Sequence, residues 1–437
     1  MAGSPNLLVI HTDEQSCWTL SAYGGTLIDT PHIDSLANEG AILTNFITNV
    51  AVCTPSRGVF LTGRYEHVHG AYRNNVPLGR DEITFAQALK DKGYETGYAG
   101  KWHLDGTPRP GWVHPERTMG FDDAQYMFNR GHFKKIEDTA MGDMQATAFP
   151  YQVMGDEVTY PTDWLTDKTI EFLEKDRDNP FCFMLSIPDP HPPFTVRAPY
   201  DTMYDPAHMP LPETRNEENQ PSWVPDKQAP NDDVLRKHMA QYCGMVKVID
   251  DCVGRMLDAL RNKGILDNTI IAFTSDHGEY LGEHGLMGKN TIYETAYRVP
   301  MLIRWPEKIK AGTQIDRMVG TVDFMPTIMN LMGFDACGRE QGRDASGLLC
   351  GEDVAWDDVC YIHHLAGRAG VFTPAYELAY VQDHDAVLFD RKNDPDQVNN
   401  LFNSPDHQEL IGTLTKDLAA HHAEVDSPSK EWLQSLA

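Results

Sequence analysis

Along the first three-quarters of the chain, short apolar runs alternate with longer segments whose apolar residues recur three and four apart. Residues 6–11, 181–187 and 269–274 are apolar runs too short for helices, the pattern of strands buried on both faces of a sheet. Residues 94–99 and 300–305 supply two more strands, and residues 41–48 alternate well enough for another. Between them lie helical patterns. Thr30 caps, and Pro31 opens, a helix at 31–36. Thr84 and Gln87 read as a capping box for a helix that runs to Lys92 and closes at Gly93. Residues 164–176 and 323–331 give two more helices. The longest, 233–262, lines up Met239, Cys243, Val246, Ile249, Val253, Met256 and Leu260 on one stripe and ends at Gly264. Strands alternating with helices predict an α/β fold.

The pattern changes near Gly338, where Gly, Asp and Ser cluster. Short strands are expected at 360–363, 377–382 and 386–389, then a turn at 389–401 and a closing amphipathic helix at 407–423. The chain therefore reads as a large domain, residues 1–345, followed by an α+β subdomain with a small antiparallel sheet, residues 346–437. Residues 108–161 and 197–232 show little periodicity. They read as loop excursions over a functional edge, where substrate selection tends to reside.

Composition narrows the partners. The 437 residues carry a formal net charge of −27, which opposes nucleic acid and anionic membranes at long range. No run approaches the roughly 18 apolar residues of a membrane span. An anionic substrate then needs a local cluster of cations that outweighs the global field. The eight cysteines show no metal-finger or C-x-x-C spacing, and Cys182, Cys243 and Cys252 read as buried apolar residues. Met1-Ala-Gly-Ser resembles a cloning remnant, so a periplasmic or secreted location is expected if a leader was removed, and a cytoplasmic one otherwise.

Chemistry-bearing residues gather where strands end, the edge at which open α/β sheets bind ligands. Strand 6–11 delivers Asp13 and Glu14, adjacent acids that repel unless a cation sits between them; a helix cap and a first-turn acid are the alternative. Strand 94–99 delivers Lys101 and His103, two apart and so on one side, or else a solvated pair. Strand 181–187 leads to His191, held between prolines as a general-acid candidate or a structural histidine. Strand 269–274 ends in Asp276 and His277, with Lys289 beyond. In Ala51-Val-Cys-Thr-Pro-Ser-Arg57 an apolar segment gives way to a helix at 56–61, setting Cys53 at a helix N-terminus beside Arg57. Both features favour negative charge, so the position suits an anion or an anionic nucleophile. His67 and His69, two apart, could both ligate a metal only from a strand or loop and read as structural or as supports behind a site. Three strand ends converging oxygen and nitrogen donors are not what a solvated surface produces.

Cys53-Thr54-Pro55-Ser56-Arg57, continued by Leu61-Thr62-Gly63-Arg64, resembles the signature of the formylglycine-dependent sulfatases, a branch of the alkaline phosphatase superfamily. Gly100-Lys101-Trp102-His103-Leu104 is similar to a second segment of that family. The resemblance implies an alkaline-phosphatase-like large mixed sheet sandwiched by helices. It implies that a maturation enzyme, formylglycine-generating or equivalent, oxidises Cys53 to formylglycine, with Ser56 as recognition context. One hydroxyl of the hydrated aldehyde attacks sulfur and the other expels sulfate. Arg57 and His103 steady that residue, Lys101 and Lys289 grip the sulfate, and His191 serves the leaving alcohol. A divalent ion is expected on Asp13, Glu14, Asp276, His277 and the modified Cys53. Oxygen-rich ligands with one imidazole suit Ca²⁺, with Mg²⁺ or Mn²⁺ as alternatives.

The substrate expected is a sulfate monoester on a small molecule or oligosaccharide. Polar loops that can pocket a hydroxyl-rich ligand favour a carbohydrate, with Arg73, Asn74 and the 197–232 loop as contacts. His277, where many arylsulfatases have asparagine, keeps a phosphonate monoester or phosphodiester hydrolase as the nearest alternative. A non-catalytic sulfated-glycan binding protein is a remote one.

Overall fold

The computed structural model describes residues 3–106, 112–136, 153–218, 220–225, 228–365 and 367–437. Eight strands form one sheet: β1 (Asn6–Asp13), β2 (Ala41–Ile47), β3 (Glu95–Lys101), β4 (Asp123–Phe128), β5 (Phe181–Pro190), β6 (Thr269–Ser275), β7 (Met301–Arg304) and β8 (Thr313–Gly320). Their order is β4-β3-β5-β1-β6-β7-β2-β8. Only β7 runs against its neighbours, so the other seven present their C-terminal ends on one edge.

β1 lies in the middle of the sheet, between β5 and β6, and Leu7 to Ile10 are fully buried. Leu8 and Ile10 point into a core formed with helices Pro31–Asn38, Pro161–Glu174 and Asp232–Lys263. Leu7 and Val9 point into an opposite core formed with Cys53–Thr62, Phe85–Asp91 and Phe324–Leu331. The run lacks alternation because both faces are covered, and the architecture is the expected helix-sandwiched mixed sheet.

Two caps differ from expectation. Thr30 does not cap with its side chain; Asp250, from the long helix, accepts from the backbone N–H groups of His32 and Ile33 at 3.0 and 2.9 Å. Thr84 does accept from Gln87 N, but the Gln87 amide turns to Asp91, so the reciprocal half of the capping box is not made.

A second sheet follows: β9 (Cys360–His364), β10 (Arg368–Phe372), β11 (Tyr376–Val381) and β12 (Val387–Asp390), an antiparallel meander ordered β12-β11-β10-β9. Helix Gln408–Glu424 covers one face through Ile411, Leu414 and Leu418 against Val371, Leu378 and Leu388. The other face, with Ile362, Phe372, Val387 and Phe389, packs on Ile47 and Ala51. The small unit therefore buttresses the segment that carries the chain from β2 to Cys53.

Candidate active site

The shared strand edge assembles the site. β1 ends at Asp13 and turns at Glu14 with φ of 69°; β6 hands over to Asp276 and His277; β2 feeds helix Cys53–Thr62, with Cys53 at its first position. One atom each from Asp13, Cys53, Asp276 and His277 lies within 4.8 Å of the others, and all four residues are buried. His277 Nδ1 donates to Gly278 O at 3.0 Å, which leaves the Nε2 lone pair facing inward, 3.1 Å from Cys53 Sγ. Such a carbonyl partner fixes the tautomer a metal-bound imidazole needs.

Asp276 is held from several sides. Its Oδ1 accepts from Glu14 N and His277 N, both at 3.0 Å, and its Oδ2 from Arg57 Nε at 3.0 Å. Arg57 also donates to Lys101 O and to Ser186 Oγ, tying the Cys53 helix to the end of β3 and to β5. Ser56 donates to Asp276 O at 2.6 Å, so it too pins this helix to the sheet edge. β3 and β5 approach closely at the same level: a Cβ on Gly100, whose φ is 111°, would fall 1.9 Å from Ser186 O.

The cations and imidazoles form a second group. Lys101 Nζ pairs with Asp13 and lies 3.1 Å from His132 Nε2. Lys289 Nζ lies 2.6 Å from Glu14 Oε2, and His191 Nε2 3.1 Å from the same oxygen. Burial opposes ionisation of Asp13, but Lys101, His191, His132 and Arg57 outweigh it and hold its carboxyl well below the usual range. Burial likewise works against the charge on Lys289, yet the Cys53, Glu14 and Asp13 groups raise its pKa. The imidazoles go the other way. Burial first, and then neighbouring positive groups, push His132 down to about 3 and lower His103 and His191 well below 6.5.

Several expected residues sit elsewhere or behave differently. Cys53 has the predicted helix N-terminus, yet burial pushes its thiol up to about 11 despite Lys101 and Lys289, so the unmodified side chain is a neutral thiol and not an anionic nucleophile. Glu14 lies outside the four converging residues; its left-handed backbone and longer side chain carry the carboxyl to Lys289 and His191, and burial, reinforced by Glu279, pushes it up to about 8. His103 does not continue the strand with Lys101: β3 stops at Lys101, and His103 turns with φ of 60° and donates its backbone N–H to Asn129 O. Asn74 accepts from Thr54 N at 3.1 Å, which caps the Cys53 helix rather than reaching outward. Arg73 is exposed, with its guanidinium 5.6 Å from the Tyr72 ring. His67 and His69 are structural as expected, one against Val425 O and the other packed over Gly58.

His132 was not legible in the sequence. It follows β4, an edge strand inside the stretch taken as an irregular excursion; much of that excursion, 137–152, lies outside the described residues. Its ring lies flat on that of His191, 3.6 Å between centroids and 2° from parallel, with Nε2 3.3 Å from Asp13 Oδ2.

A divalent cation fits the four-residue group. Asp13 Oδ1 is buried with no hydrogen-bond partner, and two carboxylates with one oriented imidazole are the donors a hard or borderline ion takes.

Comparisons with known proteins identify the family. A family model described as sulfatase matches residues 5–334, and one described as N-sulphoglucosamine sulphohydrolase, C-terminal, matches residues 282–424. The chain is 29% identical to an ulvan-active sulfatase of Formosa agariphila, over 98% of this chain and 82% of that protein. It is 28% identical to an N-acetylglucosamine-6-O-sulfatase of Bacteroides thetaiotaomicron, over 98% and 88%. A solved sulfatase structure from Bacteroides fragilis superposes with a TM-score of 0.85 at 28% identity, covering 99% of this chain and 98% of that one.

Proposed function

The chain belongs to the sulfatase family and is a sulfuric ester hydrolase, and from that premise we propose that it cleaves a sulfate monoester carried on a carbohydrate, using a formylglycine made from Cys53. The observation that carries this reading is Cys53 at the head of its helix, within 4.8 Å of donor atoms of Asp13, Asp276 and His277. The relatives named for ulvan and for N-acetylglucosamine 6-sulfate support the carbohydrate assignment.

The unmodified thiol is a poor start for this chemistry. It is neutral at physiological pH, and its sulfur adduct would have no internal route to release sulfate, whereas an aldehyde hydrate expels it with its second hydroxyl. Asp13, Asp276, His277 and the modified residue 53 would hold a divalent ion, Ca²⁺ first among candidates, which would supply positive charge favouring the ionised nucleophile and the sulfate oxygens. The remaining work falls to the chain. Arg57 pairs with Asp276 and anchors the helix bearing residue 53. Lys101 and Lys289, paired with Asp13 and Glu14, bind sulfate oxygens as charge grows there in the transition state. His191 donates Nδ1–H to Pro192 O at 2.7 Å, which leaves Nε2 as the ring nitrogen that faces the departing alcohol and exchanges a proton with it.

The test pairs chemistry with mass. Protein made in cells that contain a formylglycine-generating enzyme is expected to show the aldehyde in the peptide spanning residue 53 and to release sulfate from sulfated saccharides; Cys53→Ala is expected to do neither. Thiol alone in an active enzyme would overturn the formylglycine assignment. Turnover of phosphonate monoesters above every sulfate ester would overturn the substrate assignment.

A further inference from the structure

We propose that His132 is a positioning residue for the sulfatase reaction: its ring, flat against His191, sets the plane of the imidazole that serves the leaving alcohol. This rests on the functional reading above. Three contacts fix His132 itself. It stacks on His191 at 3.6 Å and 2°, its Nε2 lies 3.1 Å from Lys101 Nζ, and the same nitrogen lies 3.3 Å from Asp13 Oδ2. The segment that carries it is anchored two residues further on, where Lys134 Nζ donates to the buried Asp189 at 2.7 Å, and Asp189 also accepts from Tyr160 and Thr162. Asp189 stands two residues before His191, so one buried carboxylate ties the His132 segment to the His191 loop. The two rings are thus held in register from their backbones as well as face to face.

Stacking constrains what hydrogen bonds leave open. His191 Nδ1 bonds to Pro192 O in its own loop and its Nε2 lies 3.1 Å from Glu14 Oε2; a leaving oxygen at Nε2 displaces that second contact and leaves the ring tethered by hydrogen bonding through Nδ1 alone. Its Nε2, the atom that meets the substrate, points in a useful direction only if the ring plane is fixed. His191 is partly exposed, and among the described residues His132 is the one aromatic ring stacked on it. A flat neighbour at van der Waals distance removes the rotations that would turn Nε2 away from the leaving oxygen. His132 needs no proton transfer of its own for this role.

The proposal separates from a merely structural role by leaving-group dependence. Help to the departing oxygen matters little for 4-nitrophenyl sulfate, whose leaving group needs no proton, and much for 4-methoxyphenyl sulfate. With the holoenzyme and a series of substituted phenyl sulfates between those two, His132→Ala is expected to steepen the dependence of kcat/KM on leaving-group basicity. The loss on 4-methoxyphenyl sulfate should exceed that on 4-nitrophenyl sulfate by about tenfold or more, a part of the roughly 10²–10⁴-fold that a positioned acid–base group contributes. His132→Phe, which keeps a flat ring, should restore most of the difference, while His132→Gln, which keeps a polar group facing Lys101, should not. Thermal unfolding of each variant reports whether it is folded. Equal losses along the series, or a Phe variant no better than Ala, would overturn the assignment while leaving the sulfatase reading intact. A wild-type enzyme with no turnover of any sulfate ester would overturn both.

Discussion

Asp13 and Asp276 carry two carboxylates into an interior closed to water, and Arg57 lies between them with one nitrogen 3.7 Å from the first and 3.0 Å from the second. Its guanidinium pKa is raised: burial alone would lower it, and the two aspartates reverse the sign. Removing one member of such a buried set leaves the rest uncompensated, at a cost of about 3–5 kcal/mol. Arg57→Gln is therefore expected to lower the free energy of unfolding in urea by that order, in addition to abolishing turnover. A variant as stable as the parent would show that the carboxylates are held by something else. Single residues of this kind were readable in advance, since Arg57 stands four places after Cys53 on one helix. Glu14 was readable only in part. Its position at a strand end was evident, but a single φ of 69° decided where its carboxyl went.

Within the Cys53 helix, Gly58 tests how closely its neighbours press. Glycine to alanine in a helix interior ordinarily stabilises by about 0.5–1 kcal/mol. Here a Cβ would meet His69 Cε1 at 2.4 Å, and overpacking a close contact costs about 1–3 kcal/mol. Gly58→Ala is expected to lower Tm, and a rise would show that the His69 ring yields freely. A second element-level prediction concerns four histidines where the C-terminal unit docks. His363 Nε2 lies 2.9 Å from His421 Nε2, and His363 stacks on both His422 and His67, at 4.1 and 5.7 Å. Burial, and then the neighbouring imidazoles, push His421 down to about 3, and burial and His67 push His422 down to about 4. Folded values below the unfolded 6.5 mean that the unfolded chain takes up more protons as pH falls, so this contribution is complete above pH 6.5 and is lost progressively on the way to about pH 3. The urea midpoint of His421→Gln should fall less between pH 7 and 4.5 than that of the parent. A parallel fall would remove the cluster from the account. Strands β4, β8 and β10 went unread for a related reason. β4 and β8 are edge strands that need an apolar surface on one flank only, so charged residues such as Asp316 and Arg317 break their pattern, and β10 is interrupted by Gly370.

At the scale of the molecule, a chain of net charge −27 concentrates Arg57, Lys101 and Lys289 at one sheet edge, so the local field there opposes the global one. Two carboxylates and an imidazole at the same point would make the folded state the one to bind a divalent ion, and binding to the folded state alone stabilises it by mass action. Ca²⁺ at a hundred times its Kd is expected to add about 2.7 kcal/mol to the stability of chelator-treated protein, seen as a rise in Tm. No rise with Ca²⁺, Mg²⁺ or Mn²⁺ would count against the four-residue group as a cation site. The two sheets also belong to one mechanical whole, because Phe372 and Phe389 of the small sheet pack in the same cluster as Ala51, two residues before Cys53.

The order of apolar runs and helical stripes already determined an α/β chain with its reactive residues at strand ends, because a strand buried on both faces must be apolar along its length and its polar residues must wait for the edge. Tertiary structure alone decided the rest. His132 meets His191 across the sheet edge, and the Cys53 thiol stays protonated, because both outcomes depend on neighbours distant in the chain and on the loss of water around them. Neither quantity is written in local spacing.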